Sequence, residues 1–527
     1  MKRRQFLATA SAIALAAPNV VRAQSASKIL KFIPESDVTV LDPVWTTATV
    51  THHHGYAVFD TLYGQDDSFA IQLEMLAGQN VENDGRLWRL TLRDGLKFHD
   101  GTPVLGRDVV ASIKRFAARD AFGRALMDAT DELSAASDKE IQFRLKQPFP
   151  LLPNALGKSG TAMPAIMPER LASTDPNKAI TEMVGSGPFR FNTKERVVGA
   201  SVIYDKFEGY VPRADGVPSF SAGPKSVYYD RIEWHIIPDA ATAASAVING
   251  EVDWWQQPDA DLLPQFAAKK YLVVAPQDPA GATGVMRFNH LHPPFNNPAI
   301  RRALLGAINQ EEYMLASGGE DRSLWKTDVG CFSPGTPMAN SAGIEILHGK
   351  RDFDAVAKAV KAAGYDGSPI VVLGATDQHS QYAQTLVGVD MLKRVGFNVD
   401  FVSTDWGTVV QRRANKAAPD KGGWNIFFTS LNGTNNFDPA SHLGLRGNGA
   451  GAWFGWPTAP RLEELRLEWF AARNLDEQKR VCVEIQKQFW IDVPYIPLGT
   501  IYQPAVYNRK ITGVRSGFPQ FYNVRPA

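Results

Sequence analysis

The 527-residue sequence holds two cysteines, Cys331 and Cys482, far apart in the chain. Neither a disulfide framework nor a clustered cysteine metal site can be built from them, and a single long-range bridge is left open. There is no excess of one charge, since 56 Lys plus Arg face 55 Asp plus Glu. The broad cationic field that phosphate backbones demand is therefore missing, which sets nucleic-acid binding aside. Beyond the N-terminus no run approaches the roughly 18 consecutive apolar residues of a membrane span, and no low-complexity tract occurs. What the chain does have is 44% apolar and 10% aromatic residues, enough for sizeable cores. At roughly 150 residues per domain its length calls for about two to four packed units.

Residues Met1 to Ala23 combine Lys2, Arg3 and Arg4, an apolar stretch from Phe6 to Ala17, and Val21-Arg22-Ala23. This is the charged head, short apolar middle and small-residue exit of an export signal cut after Ala23. The apolar stretch spans only about 18 Å as a helix against a hydrocarbon core of roughly 30 Å, so it is a poor permanent anchor. Arg3-Arg4-Gln5-Phe6-Leu7 resembles the twin-arginine signal, with the general secretory route as the alternative. Cleavage removes four basic residues and leaves a mild acidic excess, as expected of a soluble, exported, periplasmic protein.

The mature chain begins with alternation over Lys28 to Ile33 and a predicted helix from about Thr51 to Leu62. Trp88, Leu90 and Leu92 alternate into Asp94-Gly95, Leu96 and Phe98 return, and His99-Asp100-Gly101 follows, which together predict hairpin turns. Helical spacing begins at Asp108, and Ile141, Phe143 and Leu145 alternate again. After the breaker Gly185-Ser186-Gly187-Pro188, Phe189 and Phe191 have strand spacing. The Gly- and Pro-rich stretch from Val211 to Lys225 predicts an exposed loop. Ile232 to Ile236 is a strand, and Asp239 caps a helix that stops at Gly250. From Asn297-Pro298 onward helices and strands alternate: a helix over Phe353 to Ala363, a strand over Ile370 to Leu373, a helix over Ala383 to Val395, and one long helix from about Arg461 to Trp490. The chain is extended again after Pro497. The fold class is α/β in the wide sense, an antiparallel α+β part followed by a βα part.

Several strings occur in one order along the chain: Phe59-Asp60-Thr61-Leu62-Tyr63, LRDGLKFHDGTPV from Leu92 to Val104, GSGPFRF from Gly185 to Phe191, and Asn249-Gly250-Glu251-Val252-Asp253. They continue with RFNHLHPPFNNPAIRRALLGAIN from Arg287, AVAKAVKAAGY from Ala355, and Pro494-Tyr495-Ile496-Pro497-Leu498. In order and spacing the sequence resembles the extracytoplasmic solute-binding proteins of the dipeptide and oligopeptide class that serve ABC importers. The resemblance implies a two-lobed periplasmic-binding-protein fold with an inserted subdomain in the first lobe. It implies a first lobe from residues 24–57, 184–280 and 503–527, an insert over 58–183, and a second lobe over 281–502. It also implies a monomer that captures a small-molecule solute between the lobes and delivers it to an ABC permease in the inner membrane.

The same resemblance puts candidate ligand contacts on particular residues. Trp406, just after the strand Val399 to Val402, fits the place of a pocket tryptophan. Relatives that bind peptides hold the α-amine with an aspartate shortly before an Asn-Pro or Asp-Pro step. Here the loop runs Leu431 to Pro439, and the acid's place falls near the neutral Asn435. Asp438 is the substitute, and upstream, where an arginine can meet a carboxylate, stands Thr429. The anchors for peptide termini do not carry over, and an unpaired buried charge costs several kcal/mol, which favours an uncharged or differently charged solute. Asn432, Asn435 and Asn436 offer paired donors and acceptors. By the same alignment Trp255, Gln256, Gly281 and Thr283 face the cleft, with Tyr502 on the returning strand. Of His52-His53-His54, His53 is the candidate contact. Neighbours on a helix splay by about 100°, so the three do not share an ion, and no metal or other cofactor is called for. The chain has no GxSxG, HExxH, P-loop or dinucleotide fingerprint, so a secreted hydrolase is the lesser alternative, beside a ligand sensor outside transport.

Overall fold

Two β-sheets carry the molecule, and the chain crosses between them twice. The computed structural model describes residues 28–160, 162–276 and 278–527, so the export segment lies outside the described residues. The first sheet has seven strands in the order Leu272–Pro276, Pro504–Asn508, Trp254–Trp255, Ile29–Ile33, Arg231–His235, Ser201–Lys206 and Phe189–Phe191. Ile29–Ile33 lies parallel to both of its neighbours, and the remaining pairs are antiparallel. Side chains alternate between two covered faces. Phe32, Trp234 and Trp254 meet Phe521 on one face, while Ile33, Trp255 and Val506 meet Val247 and Phe266 on the other.

The second sheet has six strands in the order Trp325–Lys326, Tyr495–Ile501, Ala282–Phe288, Ile426–Asn432, Ile370–Ala375 and Val399–Thr404. Ile370–Ala375 runs parallel to both of its neighbours. The helix His379–Arg394 joins it to Val399–Thr404, as a parallel pair requires. This helix starts four residues before the predicted Ala383. The predicted long C-terminal helix is two, Pro460–Ala471 and Leu475–Asp492. The break falls where Asn474 accepts from the Glu477 backbone at 2.9 Å and caps the second helix. Cys331 and Cys482 are both free and buried.

A third sheet, four antiparallel strands between Leu76 and Leu145, forms the inserted unit. Leu87–Leu92 pairs there with Leu76–Glu82 and Glu140–Leu145, not with the residues after Asp94-Gly95. Gly95 and Gly101 do hold the left-handed turns predicted for them, at φ 79° and 86°, but Leu96 to Val104 contributes only the isolated bridge Lys97 to Pro103. His99 sits inside this turn as a structural group. Its Nδ1 accepts from the Gly185 backbone at 3.3 Å, which leaves Nε2 to donate to the Gly187 carbonyl at 3.0 Å. The loop turn and the Gly-Pro breaker are thereby one contact.

The loop 211–225 is not wholly exposed, because its last residues plunge into the interior. Lys225 Nζ meets Asp60 Oδ1 at 2.6 Å with both side chains buried, and Glu74 lies at 3.8 Å. Burial alone would lower the Lys225 ammonium, yet Asp60 and Glu74 turn its net shift upward. Burial pushes Glu74 up to about 7, and by distance Asp60 is the nearer partner of Lys225. Tyr210 donates to Asp60 Oδ2 at 3.0 Å, closing the group. Arg115 and Asp42 make a second buried pair at 2.6 Å. Removing one partner of such a pair strands the other in low dielectric. Lys225→Ala is therefore expected to cost about 3–5 kcal/mol in urea unfolding, and a loss under 1 kcal/mol, the range of an exposed pair, would contradict this account.

Candidate binding cleft

The helix Thr49–Val58 is buried along nearly its whole length, and its first turn points at the gap between the two large sheets. Thr49, His52 and His53 line a cavity of about 80 Å³ there. Gln256 and Gln257, which follow the short strand Trp254–Trp255, complete the wall on the side of the first sheet together with Phe518. Asn432, Thr434 and Asn435, at the end of the strand Ile426–Asn432, form the opposite wall. The two crossings between the sheets close the back, with Asp278 and Gly281 on one and Gln503 on the other. Asn432 Nδ2 donates across the gap to Thr49 Oγ1 at 3.0 Å. Asp259 and His379 approach to 3.5 Å between the same two halves. Gly160, from the inserted unit, also reaches the cavity, and a Cβ there would stand 2.3 Å from Asn435 Oδ1 and 3.0 Å from the Thr434 carbonyl.

The imidazoles of the triplet divide as helix geometry requires. His54 points away and its Nδ1 shares a hydrogen bond with the Tyr204 hydroxyl at 3.0 Å. His52 and His53 face the cavity and pack on Phe518, with His53 stacked at 5.8 Å between ring centroids. His52 Nε2 and His53 Nδ1 are buried without a hydrogen-bond partner among the described residues. Burial lowers His52 to about 4 and His54 to about 3, and it lowers His53 strongly too, with the neighbouring His52 adding to the effect. All three rings are neutral at neutral pH. Among the described residues no cluster of three or more metal-ligating side chains occurs.

Of the residues the sequence points to, the structure brings His53, Gln256, Gly281, Asn432 and Asn435 together around this cavity. It does not bring the others there. Trp406 begins the helix Trp406–Arg412, and its ring lies 5.1 Å from the Arg413 guanidinium, packed against the cluster of Leu373, Trp424 and Phe427 on the second sheet. Trp255 is turned onto Phe266 in the core. Thr283 Oγ1 bonds Thr500 Oγ1 at 2.9 Å inside the second sheet. Asn436 donates to the Leu431 carbonyl at 3.3 Å and is buried in its own loop. Asp438 accepts from the Ser441 backbone at 2.7 Å and caps that turn, and burial raises it to about 6. Tyr502 is half-buried beside Gly281 on the returning strand, outside the cavity lining. Sequence reasoning passed over Asp278, Thr434, Gln503 and Phe518. Asp278 had a usable signal, standing next to Pro279 at a chain crossing.

A family model for the middle region of bacterial extracellular solute-binding proteins, family 5, matches residues 70–452. The chain belongs to this family. Along 524 residues the binding protein is 35% identical to the probable peptide ABC transporter periplasmic-binding protein y4tO of Sinorhizobium fredii, with 98% of each chain covered. Its fold is similar to that of AgaA from A. tumefaciens R10, solved with agropinic acid, at a TM-score of 0.78 and 17% identity over 95% and 99% of the two chains. DppA from Helicobacter pylori, solved with the peptide STSA, gives a TM-score of 0.77 and 20% identity over 94% and 98%. The binding protein therefore has the two-lobed fold with the inserted unit in its first lobe, and it is a solute-binding protein of the kind that serves ABC importers. No described helix is long and apolar enough to cross a membrane.

Two measurements follow from this geometry. A histidine whose folded pKa lies below its unfolded value contributes stability that is full above the unfolded value and is lost as pH falls toward the folded one. Between about pH 7 and about pH 5 each buried imidazole should cost about 2 kcal/mol of stability. In urea unfolding His54→Gln should shrink the acid-side loss by about that amount, and an unchanged pH dependence would refute it. Gly160→Leu should keep the unliganded melting temperature but hold the lobes apart, so that solute no longer contracts the protein in small-angle X-ray scattering. Normal contraction in that variant would show that Gly160 does not limit closure.

Proposed function

We propose that this protein is the solute receptor of an ABC importer, closing two lobes on a small polar molecule outside the cytoplasmic membrane and passing it unchanged to a permease. The observation that supports it most is a cavity with polar side chains from both lobes in its walls and the chain crossings themselves at its back. Such a site needs orienting hydrogen bonds and a hinge, and no reacting group. The moving bodies are residues 24–57, 184–280 and 503–527 with the insert 58–183 on one side, and 281–502 on the other. The protein acts as a monomer in the periplasm after twin-arginine export and cleavage behind Ala23.

Peptide binding by the relatives does not fix the solute of this chain. Asp438, the acid nearest the place of an α-amine anchor, is spent on the Ser441 turn, and no lysine or arginine lines the cavity to meet a free carboxylate. Unmodified dipeptides should therefore raise the melting temperature little, while mass spectrometry of the purified protein should find a small polar solute released intact. A large thermal shift with a dipeptide, abolished by Asp438→Asn, would overturn the preference. Turnover of the captured molecule would overturn the receptor reading itself.

A further inference from the structure

The cavity wall is unequal in its hydrogen-bonding character. Asp278 is the one carboxylate among its described lining residues, and no cationic side chain stands beside it there. Its Oδ1 accepts from the Ala280 backbone at 2.9 Å, and its Oδ2 has no protein partner among the described residues. The amides follow one pattern. Gln257 Nε2 donates to Glu35 Oε2 at 3.3 Å, Gln503 Nε2 donates to the Pro258 carbonyl at 3.3 Å, and Asn432 Nδ2 donates to Thr49 Oγ1 at 3.0 Å. Each gives one N–H to the protein and keeps its carbonyl oxygen and the second N–H of the amide. Gln256 is reversed, its Oε1 accepting from the Glu35 backbone at 3.1 Å, and Asn435 also stands in the wall.

The unpartnered nitrogens of His52 and His53 belong to neutral rings, and two adjacent imidazoles in one cavity cannot both take up charge to meet an anion. Glu35, held behind Gln257, is a second carboxyl one amide away from the cavity, and burial raises it to about 7. An anionic group placed here would meet the like charge of Asp278 with no cationic side chain to offset it, whereas an organic cation would meet that carboxylate and amide oxygens beside it.

We infer that this cleft selects a solute bearing an N–H-rich organic cation, an ammonium or guanidinium, seated on Asp278 Oδ2 and on the carbonyl oxygens of Gln257, Gln503 and Asn432. The inference rests on the solute-capture reading and narrows its substrate class.

The test uses the dialysed full mature protein and measures thermal shift and titration calorimetry with putrescine, agmatine and glucosamine as cations. Erythritol and N-acetylglucosamine serve as neutral probes, and succinate and glucuronate as anions. The largest shift should come from a cation. Asp278→Asn should weaken that cation about 10- to 100-fold, the size of a lost charge-assisted hydrogen bond, while Asp278→Glu retains most of the affinity. A larger shift with a neutral or anionic probe, no shift with any cation, or equal affinity in Asp278→Asn would overturn the cation assignment. So would an anionic solute found by mass spectrometry in the purified protein, an outcome that leaves solute capture standing. Absence of any captured solute together with absence of contraction by any probe would instead remove the capture reading, and this inference with it.

Discussion

Buried polar atoms need partners, and the closed lobes leave several without them. An imidazole nitrogen sealed from water and unpaired costs about 1–3 kcal/mol, and the cleft holds two, on His52 and His53. In an open form these atoms face solvent and the cost vanishes. Closure is then favourable when something inside supplies the missing hydrogen bonds. Around the cavity the polar contacts across the lobes include Asn432 with Thr49 and Asp259 with His379. Exposed or half-exposed contacts of this kind contribute little each. The cavity therefore contributes a solute-dependent part to the balance between open and closed, as a capture device requires.

That balance depends on a scaffold that does not yield. The helix Thr49–Val58 presents its histidines at a fixed angle because it is wedged against Tyr204 and Phe191 on one side and Phe518 on the other. Just beyond its end, Asp60 is locked to Lys225 and Tyr210. The His99 ring fastens the Gly185 to Gly187 turn. These contacts tie the insert, the first sheet and the loop 211–225 into one body, so that motion concentrates at the two chain crossings. Phe122 and Phe149 of the insert also meet Phe470 on the second lobe, at 5.7 and 6.1 Å between ring centroids. Closure thus buries apolar surface far from the solute and supplies a driving force independent of solute chemistry.

The scaffold was legible in the sequence where its cause is local. Asp239, Asn297 and Asp352 cap their helices through contacts within three residues. The break at Asn474 was equally local, an Asn followed three residues later by Glu477 ahead of an apolar run, and the long apolar periodicity masked it. The cleft was less legible because it is assembled from segments at both ends and in the middle of the chain, none with a pattern of its own. Asn432 and Asn435 stood out as polar residues closing a strand. Trp255 was harder to place, because alternation turns it and Trp254 to opposite faces and here a core covers each face. Trp406 carries the right residue type in the right interval, but Arg413 and the cluster around Phe427 hold its ring against the second sheet. The loop 211–225 looked exposed by composition, and a single buried lysine at its end reverses that for half its length.

Asn432 links recognition to motion. It lines the cavity and bonds across the lobes to Thr49, and its two functions use opposite ends of one amide. In the open form both ends are hydrated. Closure brings Thr49 to the nitrogen and leaves the oxygen facing inward, where water has been displaced. A donor-rich solute satisfies that oxygen and so stabilises the orientation in which the nitrogen reaches Thr49. A solute offering only acceptors would favour the flipped amide, which turns an oxygen toward Thr49 and requires its hydroxyl to reverse as donor. The cross-lobe bond therefore forms best around the solute the cavity fits, and a weak surface contact becomes selective through the group it shares with the site.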